Sequence, residues 1–99
     1  MAALEVHAIE NMEDLYIVQV KNTLARPVTL SRGSVIRFRA FHWDGTVTVD
    51  ELEIEDDIVI GGRDIHRFEV EGEGTWAGDR AEMIYETKEF GKQVTVYRV

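Results

Sequence analysis

Residues 35–49, VIRFRAFHWDGTVTV, decide the fold class because they form two extended segments joined by a tight turn. In the first segment Ile36, Phe38 and Ala40 fall on one side, with Arg37 and Arg39 between them. This period of two is typical of a strand with one buried face. Asp44-Gly45 favours a hairpin, since Gly readily takes the positive φ that a primed turn needs.

The same period extends in both directions from this hairpin. Alternation is clear at residues 4–8, 15–21 and 65–71, and residues 82–87 and 93–99 form a terminal hairpin. No stretch predicts a helix of useful length. We therefore predict an all-β, antiparallel β-sandwich of about seven or eight strands, with a small β-barrel as the alternative.

Length and composition limit the chain to one globular unit. Its 99 residues predict a single domain over 1–99, and 44% hydrophobic with 30% charged residues is a globular composition. No apolar run approaches a membrane span, and no signal peptide is visible. We expect a cytoplasmic location if the chain is complete and an extracellular one if it is an excised domain. The absence of Cys removes disulfides and thiolate chemistry.

The charge is unevenly distributed along the chain. The formal net charge is −8, and all of it arises in residues 50–99, because residues 1–49 hold five acids and five bases. Nucleic-acid binding depends on clustered Lys and Arg. We therefore expect neither nucleic acid nor an anionic membrane among the partners.

The apolar faces of the predicted strands give a list of core residues. We expect the following to be mostly buried: Val6, Tyr16, Val18, Val20, Ile36, Phe38, Val47, Phe68, Val70, Met83, Tyr85, Val94 and Val96.

Four short segments carry a resemblance to a known class of modules. They are Val20-Lys21-Asn22, Trp43-Asp44-Gly45, Ile60-Gly61-Gly62, and Met83-Ile84-Tyr85 paired with Val94-Thr95-Val96. In this order they resemble the immunoglobulin-like sandwiches of microbial surface and adhesion proteins, of the CARDB-like or fibronectin type III-like kind. The resemblance implies a fold, and fold alone does not give function. Without Cys, the inter-sheet disulfide of antibody domains is excluded.

Residues that could support chemistry are present but follow no catalytic or metal-binding motif. His7, His42 and His66 lie on separate predicted strands, and the acidic segment 50–57 lacks the spacing of a calcium loop. We read the segment as a solvated strand face, with Ca²⁺ binding left open. Ser31 and Ser34 lack a nucleophile elbow, and a sandwich of this length leaves little room for a large pocket. We therefore expect no catalytic residues, no cofactor and no enzyme activity.

The second side of the 35–43 strand is the candidate binding site. We name it the stripe, and it comprises Arg37, Arg39, Phe41 and Trp43. Arg and Trp are enriched in interface hot spots. In the competing interpretation, a bulge turns Trp43 inward as the packed tryptophan of the sandwich, or Phe41 lies beneath a loop.

From these observations we expect a non-catalytic protein-interaction or self-assembly module, whose partner is another protein or a second copy of the chain. The alternative is a small-ligand binder, with carbohydrate on the stripe or Ca²⁺ on the acidic segment.

Overall fold

The computed structural model describes residues 2–71, 76 and 78–99, and these residues form nine strands and no helix. The strands are β1 (Leu4–Asn11), β2 (Leu15–Asn22), β3 (Val28–Leu30), β4 (Val35–Phe41), β5 (Val47–Glu53), β6 (Ile58–Ile60), β7 (Ile65–Glu71), β8 (Arg80–Thr87) and β9 (Gly91–Arg98). The count exceeds the predicted seven or eight because β3 and β6, of three residues each, pair with one another. Of the loop predicted over residues 72–79, positions 72–75 and 77 lie outside the described residues.

The strands form two antiparallel sheets. In the smaller sheet β2 lies between β1 and β7. In the larger sheet β8 is central, with β9 along one edge and β4 along the other; β5 pairs with β4, while β3 meets the end of β8 and β6 pairs with β3. The sheets do not close into a barrel, so the all-β sandwich prediction is confirmed and the barrel alternative is wrong.

Membrane insertion by a helix has no structural basis in the described part of the chain, where no helix is long and apolar enough to cross a bilayer.

The core lies between the inner faces of the two sheets. Phe38 of β4 and Phe68 of β7 meet across it, with ring centroids 6.4 Å apart. Nine predicted core residues are buried: Tyr16, Val18, Val20, Ile36, Phe38, Phe68, Val70, Met83 and Tyr85. Val6 is half-buried. Burying a side chain of this size contributes about 1.5–3 kcal/mol, so these residues fix which way β2, β4, β7 and β8 face.

The prediction that Val47, Val94 and Val96 are buried is wrong, since each is about half exposed. Cross-strand pairing decides this, because residues directly opposite each other share a face of the sheet. Inward-facing Ala40 is opposite Thr48, and inward-facing Met83 is opposite Thr95. The valines beside these threonines therefore point outward.

A β-bulge in β1 changes the predicted alternation of that strand. The register shifts between Val6 and Ala8, so that Ile9 rather than Ala8 lies opposite the buried Val18. Ile9 packs against the core as a result. An extra residue in one strand reverses the faces that follow it, which is why simple alternation fails here.

Hydrogen bonds from two buried tyrosines join the sheets on opposite sides of the core. The Tyr85 hydroxyl of β8 accepts from the Leu4 N–H at 2.9 Å and donates to the Leu4 carbonyl at 3.0 Å. The Tyr16 hydroxyl of β2 donates to an Asp50 carboxylate oxygen of β5 at 2.6 Å. These contacts hold the larger sheet against the smaller one, so its outward side is a fixed surface.

Candidate functional site

Three members of the stripe lie together on the outward side of β4. Because Ile36, Phe38 and Ala40 point into the core, Arg37, Arg39 and Phe41 point away from it. Arg37 is exposed, and the other two are half-buried by their neighbours. Phe41 is half-buried instead of buried like a core residue, so its ring remains part of this surface.

Trp43 lies beyond the end of β4, in the β4–β5 turn, and is 71% exposed. The Gly45 N–H donates to the His42 carbonyl at 3.0 Å and closes this turn. Within this turn Gly45 has a positive φ, of 87°, whereas Trp43 and Asp44 do not, so the turn is not the predicted primed turn. The interpretation in which Trp43 is the packed tryptophan is therefore wrong.

The packed tryptophan is Trp76. It is 9% exposed, and its ring lies against Tyr97 with centroids 5.8 Å apart. Its backbone N–H donates to the Asn11 side-chain oxygen at 3.0 Å, and its indole N–H donates to the Arg80 carbonyl at 3.2 Å. Trp76 covers the side of the sandwich where β1 and β9 approach each other.

Neighbouring strands extend the stripe into a broad surface. We name it the outer face: the outward side chains of β4, β5, β8 and β9. Its apolar members are Val35, Phe41, Val47, Val49, Ile84, Val94 and Val96. The four valines at 47, 49, 94 and 96 are 48–52% exposed. β-branched residues favour strands, and these four valines leave an apolar patch exposed on one sheet face.

The register of the sheet arranges these side chains in rows across the four strands. One row runs Val49, Arg39, Glu82, Val96 from β5 to β9. The row beside it runs Val47, Phe41, Arg80, Arg98. Charged residues therefore occupy the middle of the face in the first row, with a valine on either side.

Three arginines of the outer face contact side chains on neighbouring strands. The Arg80 guanidinium carbon lies 3.8 Å from the centre of the Phe41 ring, a cation–π contact. Arg37 donates to Glu51 at 3.1 Å, and Arg39 approaches Glu82 at 3.8 Å. Such surface pairs contribute little to stability, so their main effect is to orient the guanidinium groups.

The outer face differs in charge from the rest of the chain. It holds five bases (Arg37, Arg39, Arg80, Lys92, Arg98) and four acids (Glu51, Glu53, Glu82, Glu86). The remaining residues hold the other six bases and fifteen acids of the chain. The face thus carries a formal charge of +1 on a molecule of −8, and another protein surface can approach it with less repulsion than elsewhere.

The side chains considered for metal binding take different directions. Asp50 points inward to Tyr16, whereas Asp57 accepts from the Lys88 ammonium at 2.8 Å and from the Arg32 N–H at 2.7 Å. Burial lowers the pKa of His66, which lies edge-on against Phe68. Over residues 2–71, 76 and 78–99, no three His, Asp or Glu side chains converge into a group that could hold a metal ion.

An open groove of about 590 Å³ runs along the side of the sandwich where β5 and β7 approach each other. The groove is lined by Ile17, Leu52, Arg67, Phe68 and Glu69. This lining includes no serine, threonine, lysine or histidine, and Glu69 is its one carboxylate.

Sequence reasoning missed the valines of β5 and β9 as surface residues. Both strands carry apolar side chains on both faces, for example Val49 and Leu52 in β5, and Val96 and Tyr97 in β9. In a sandwich of two sheets, each strand buries one face against the other sheet, so a strand that is apolar on both faces leaves apolar side chains on the surface. That excess was the available signal.

Neither the comparison with protein-family models nor the comparison with curated proteins found a match to this chain.

Proposed function

We propose that this chain is a non-catalytic protein-interaction module of the immunoglobulin-like sandwich type, which binds a protein through its outer face. The observation that carries the proposal is the set of half-exposed valines on β5 and β9, which flank the arginines of β4. Covering these valines removes apolar surface from water, which stabilises a complex by about 25 cal/mol for each Å² buried.

The architecture of the face supports recognition of a folded protein surface. Interface centres are enriched in aromatic residues and Arg. Here Arg37, Arg39 and Phe41 occupy adjacent outward positions on one rigid strand, and Trp43 extends the surface at its end. Because strands of the sandwich hold these groups, little conformational entropy is lost when a partner covers them.

The small-ligand alternative has weaker support. A sugar would stack on an aromatic ring, and the Arg80 guanidinium already covers one side of the Phe41 ring, which leaves Trp43 as the open ring of the stripe. The acids of segment 50–57 take hydrogen bonds in different directions instead of sharing one centre. Neither observation favours carbohydrate or Ca²⁺ over a protein partner.

Site-specific photo-crosslinking in cells that express the chain tests this function. A photoreactive amino acid replaces Val49 or Val96 on the outer face, and Ile65 serves as the control because it is 46% exposed on the smaller sheet. We expect a protein adduct of defined mass from positions 49 and 96, lost on adding Arg39→Glu, and none from position 65. Equal labelling from all three positions, or no adduct from positions 49 and 96, would refute the proposal.

A further inference from the structure

We infer that the protein bound by the outer face is a second copy of this chain, packed face to face through a two-fold axis that runs parallel to the strands between β4 and β8. This inference rests on the proposed function and adds the identity of the partner. It stands on the charge of the face and on the order of side chains in its rows.

Charge favours a second copy on this face. Two molecules of net charge −8 repel each other, and most surfaces of the chain would bring acids against acids. The outer face, with five bases and four acids, is nearly neutral. Two such faces can therefore approach without the penalty that the rest of the molecule imposes.

The row through Arg39 is complementary to itself. A two-fold axis between β4 and β8 places β4 of one copy over β8 of the other. It likewise places β5 of one copy over β9 of the other. Arg39 of one copy then faces Glu82 of the other, and Val49 faces Val96 of the other. An isologous interface requires such self-complementarity, because each contact occurs twice.

The row through Phe41 and Arg80 also brings different kinds of side chain opposite each other. The axis brings Phe41 of one copy opposite Arg80 of the other, the two types of group that already pair within one chain at 3.8 Å. Val47 comes opposite Arg98, whose methylene groups can cover it while the guanidinium reaches solvent. Neither row brings two like charges directly together.

The size of the face sets the expected strength. Four strands about 4.8 Å apart and seven residues of about 3.3 Å give roughly 19 by 23 Å, or about 440 Å² in plan. Interfaces at this small end of the range are weak and reversible. We expect a dissociation constant on the order of 10–100 µM.

Charge reversal at the centre of the row tests the arrangement by sedimentation velocity. Arg39→Glu and Glu82→Arg are prepared separately, and each should weaken self-association roughly tenfold or more, because like charges then face each other twice. A one-to-one mixture of the two variants should associate at least as tightly as the parent chain. In the mixed dimer the introduced glutamate faces the introduced arginine, and the native Arg39 faces the native Glu82.

The mixture separates contacts between copies from contacts within one chain. Arg39 and Glu82 also approach each other within a chain, and mixing two variants cannot restore that contact. Arg67→Glu is the matched control, because Arg67 forms an equally long ion pair with Glu10, at 3.8 Å, on the smaller sheet. This control should leave association unchanged.

Two results would overturn the inference: a parent chain that stays monomeric at several hundred micromolar, well above the expected dissociation constant, or a mixture that associates no more tightly than its components. These results do not by themselves overturn the proposed function. If crosslinks from positions 49 and 96 then yield a different protein, the face binds that protein and only the second copy is wrong as its partner.

Discussion

Replacing Asn22 with Ala should strongly destabilise the sandwich. Asn22 ends β2 and is fully buried. The two N–H groups of its amide nitrogen share three acceptors, the carbonyls of Arg26, Ile60 and Gly61, at 2.8, 3.0 and 3.1 Å. Its side-chain oxygen accepts from the Leu24 N–H at 2.9 Å. One side chain therefore joins the end of the smaller sheet to β6 in the larger sheet.

The expected cost follows from the backbone groups that lose this partner. The Gly61 carbonyl also accepts from the Asp64 N–H, and Ile60 lies opposite Val28 in the β3–β6 ladder. We therefore count one hydrogen bond for each of the two amide N–H groups and one for the side-chain oxygen, three in all. Each hydrogen bond contributes about 1 kcal/mol net, so the free energy of unfolding of the variant should be about 3 kcal/mol lower than that of the parent. That is a large part of the roughly 5–15 kcal/mol expected for a domain. The midpoint of thermal unfolding should fall by roughly 15 °C.

Urea unfolding followed by tryptophan fluorescence measures this loss, because Trp76 is buried in the folded chain whereas Trp43 is already exposed. Gln19→Ala is the control: its amide makes one exposed hydrogen bond with Glu10, and its removal should cost less than about 0.5 kcal/mol. Asn22→Asp provides a second readout. It loses the donors at neutral pH and regains one on protonation, so it should be more stable in acid relative to the parent.

A loss of less than about 1 kcal/mol in Asn22→Ala would mean that water or a rearranged backbone satisfies the same groups, and that Asn22 does not hold the two sheets together. A stability of Asn22→Asp that does not change with pH, relative to the parent, would also count against the hydrogen-bond explanation.

Two further predictions concern the dependence of stability on pH. Burial raises the pKa of both Tyr16 and Tyr85 above the usual 10.0, with the Asp50 carboxylate adding to the effect at Tyr16. The tyrosines therefore ionise at lower pH in the unfolded chain than in the folded chain. Their contribution to the free energy of unfolding should be complete below pH 10 and should decrease as the pH rises above 10. Tyr16→Phe should flatten this alkaline loss in urea titrations; an unchanged slope would show that Tyr16 does not contribute. Burial lowers the pKa of His66 below 6.5, so its contribution is present above pH 6.5 and is lost as the pH falls through the lower pKa of the folded state. Urea titrations of His66→Leu between pH 7 and 5 should show a smaller decline than the parent, and an equal decline would contradict this.

Alternation in the sequence was enough to locate most strands. It also identified the buried face of those strands whose two faces differ clearly in polarity. In β4, Ile36, Phe38 and Ala40 alternate with Arg37 and Arg39, and the structure buries the first set. The turn at Gly45 was predictable for a similar reason, since few residues other than Gly take a positive φ. In both places the side chain or backbone preference is strong and acts over a few residues.

Alternation could not decide the direction of β9, where both faces are partly apolar. Val94 and Val96 are the more hydrophobic set, yet Thr95 is the buried residue. Pairing with β8 sets this orientation, because Met83 must lie inward and Thr95 is directly opposite it. The same constraint from β4 turns Val47 and Val49 outward.

The all-β class, the position of most strands and the outward direction of Arg37, Arg39 and Phe41 follow from local sequence pattern. Pairing between strands was needed to show that the valines of two distant strands join them, and packing was needed to show that Trp76 rather than Trp43 is the packed tryptophan. The physical reason is that a strand's own residues define its two faces, whereas the strands hydrogen-bonded beside it select which face is buried. A one-residue change in register would exchange those faces.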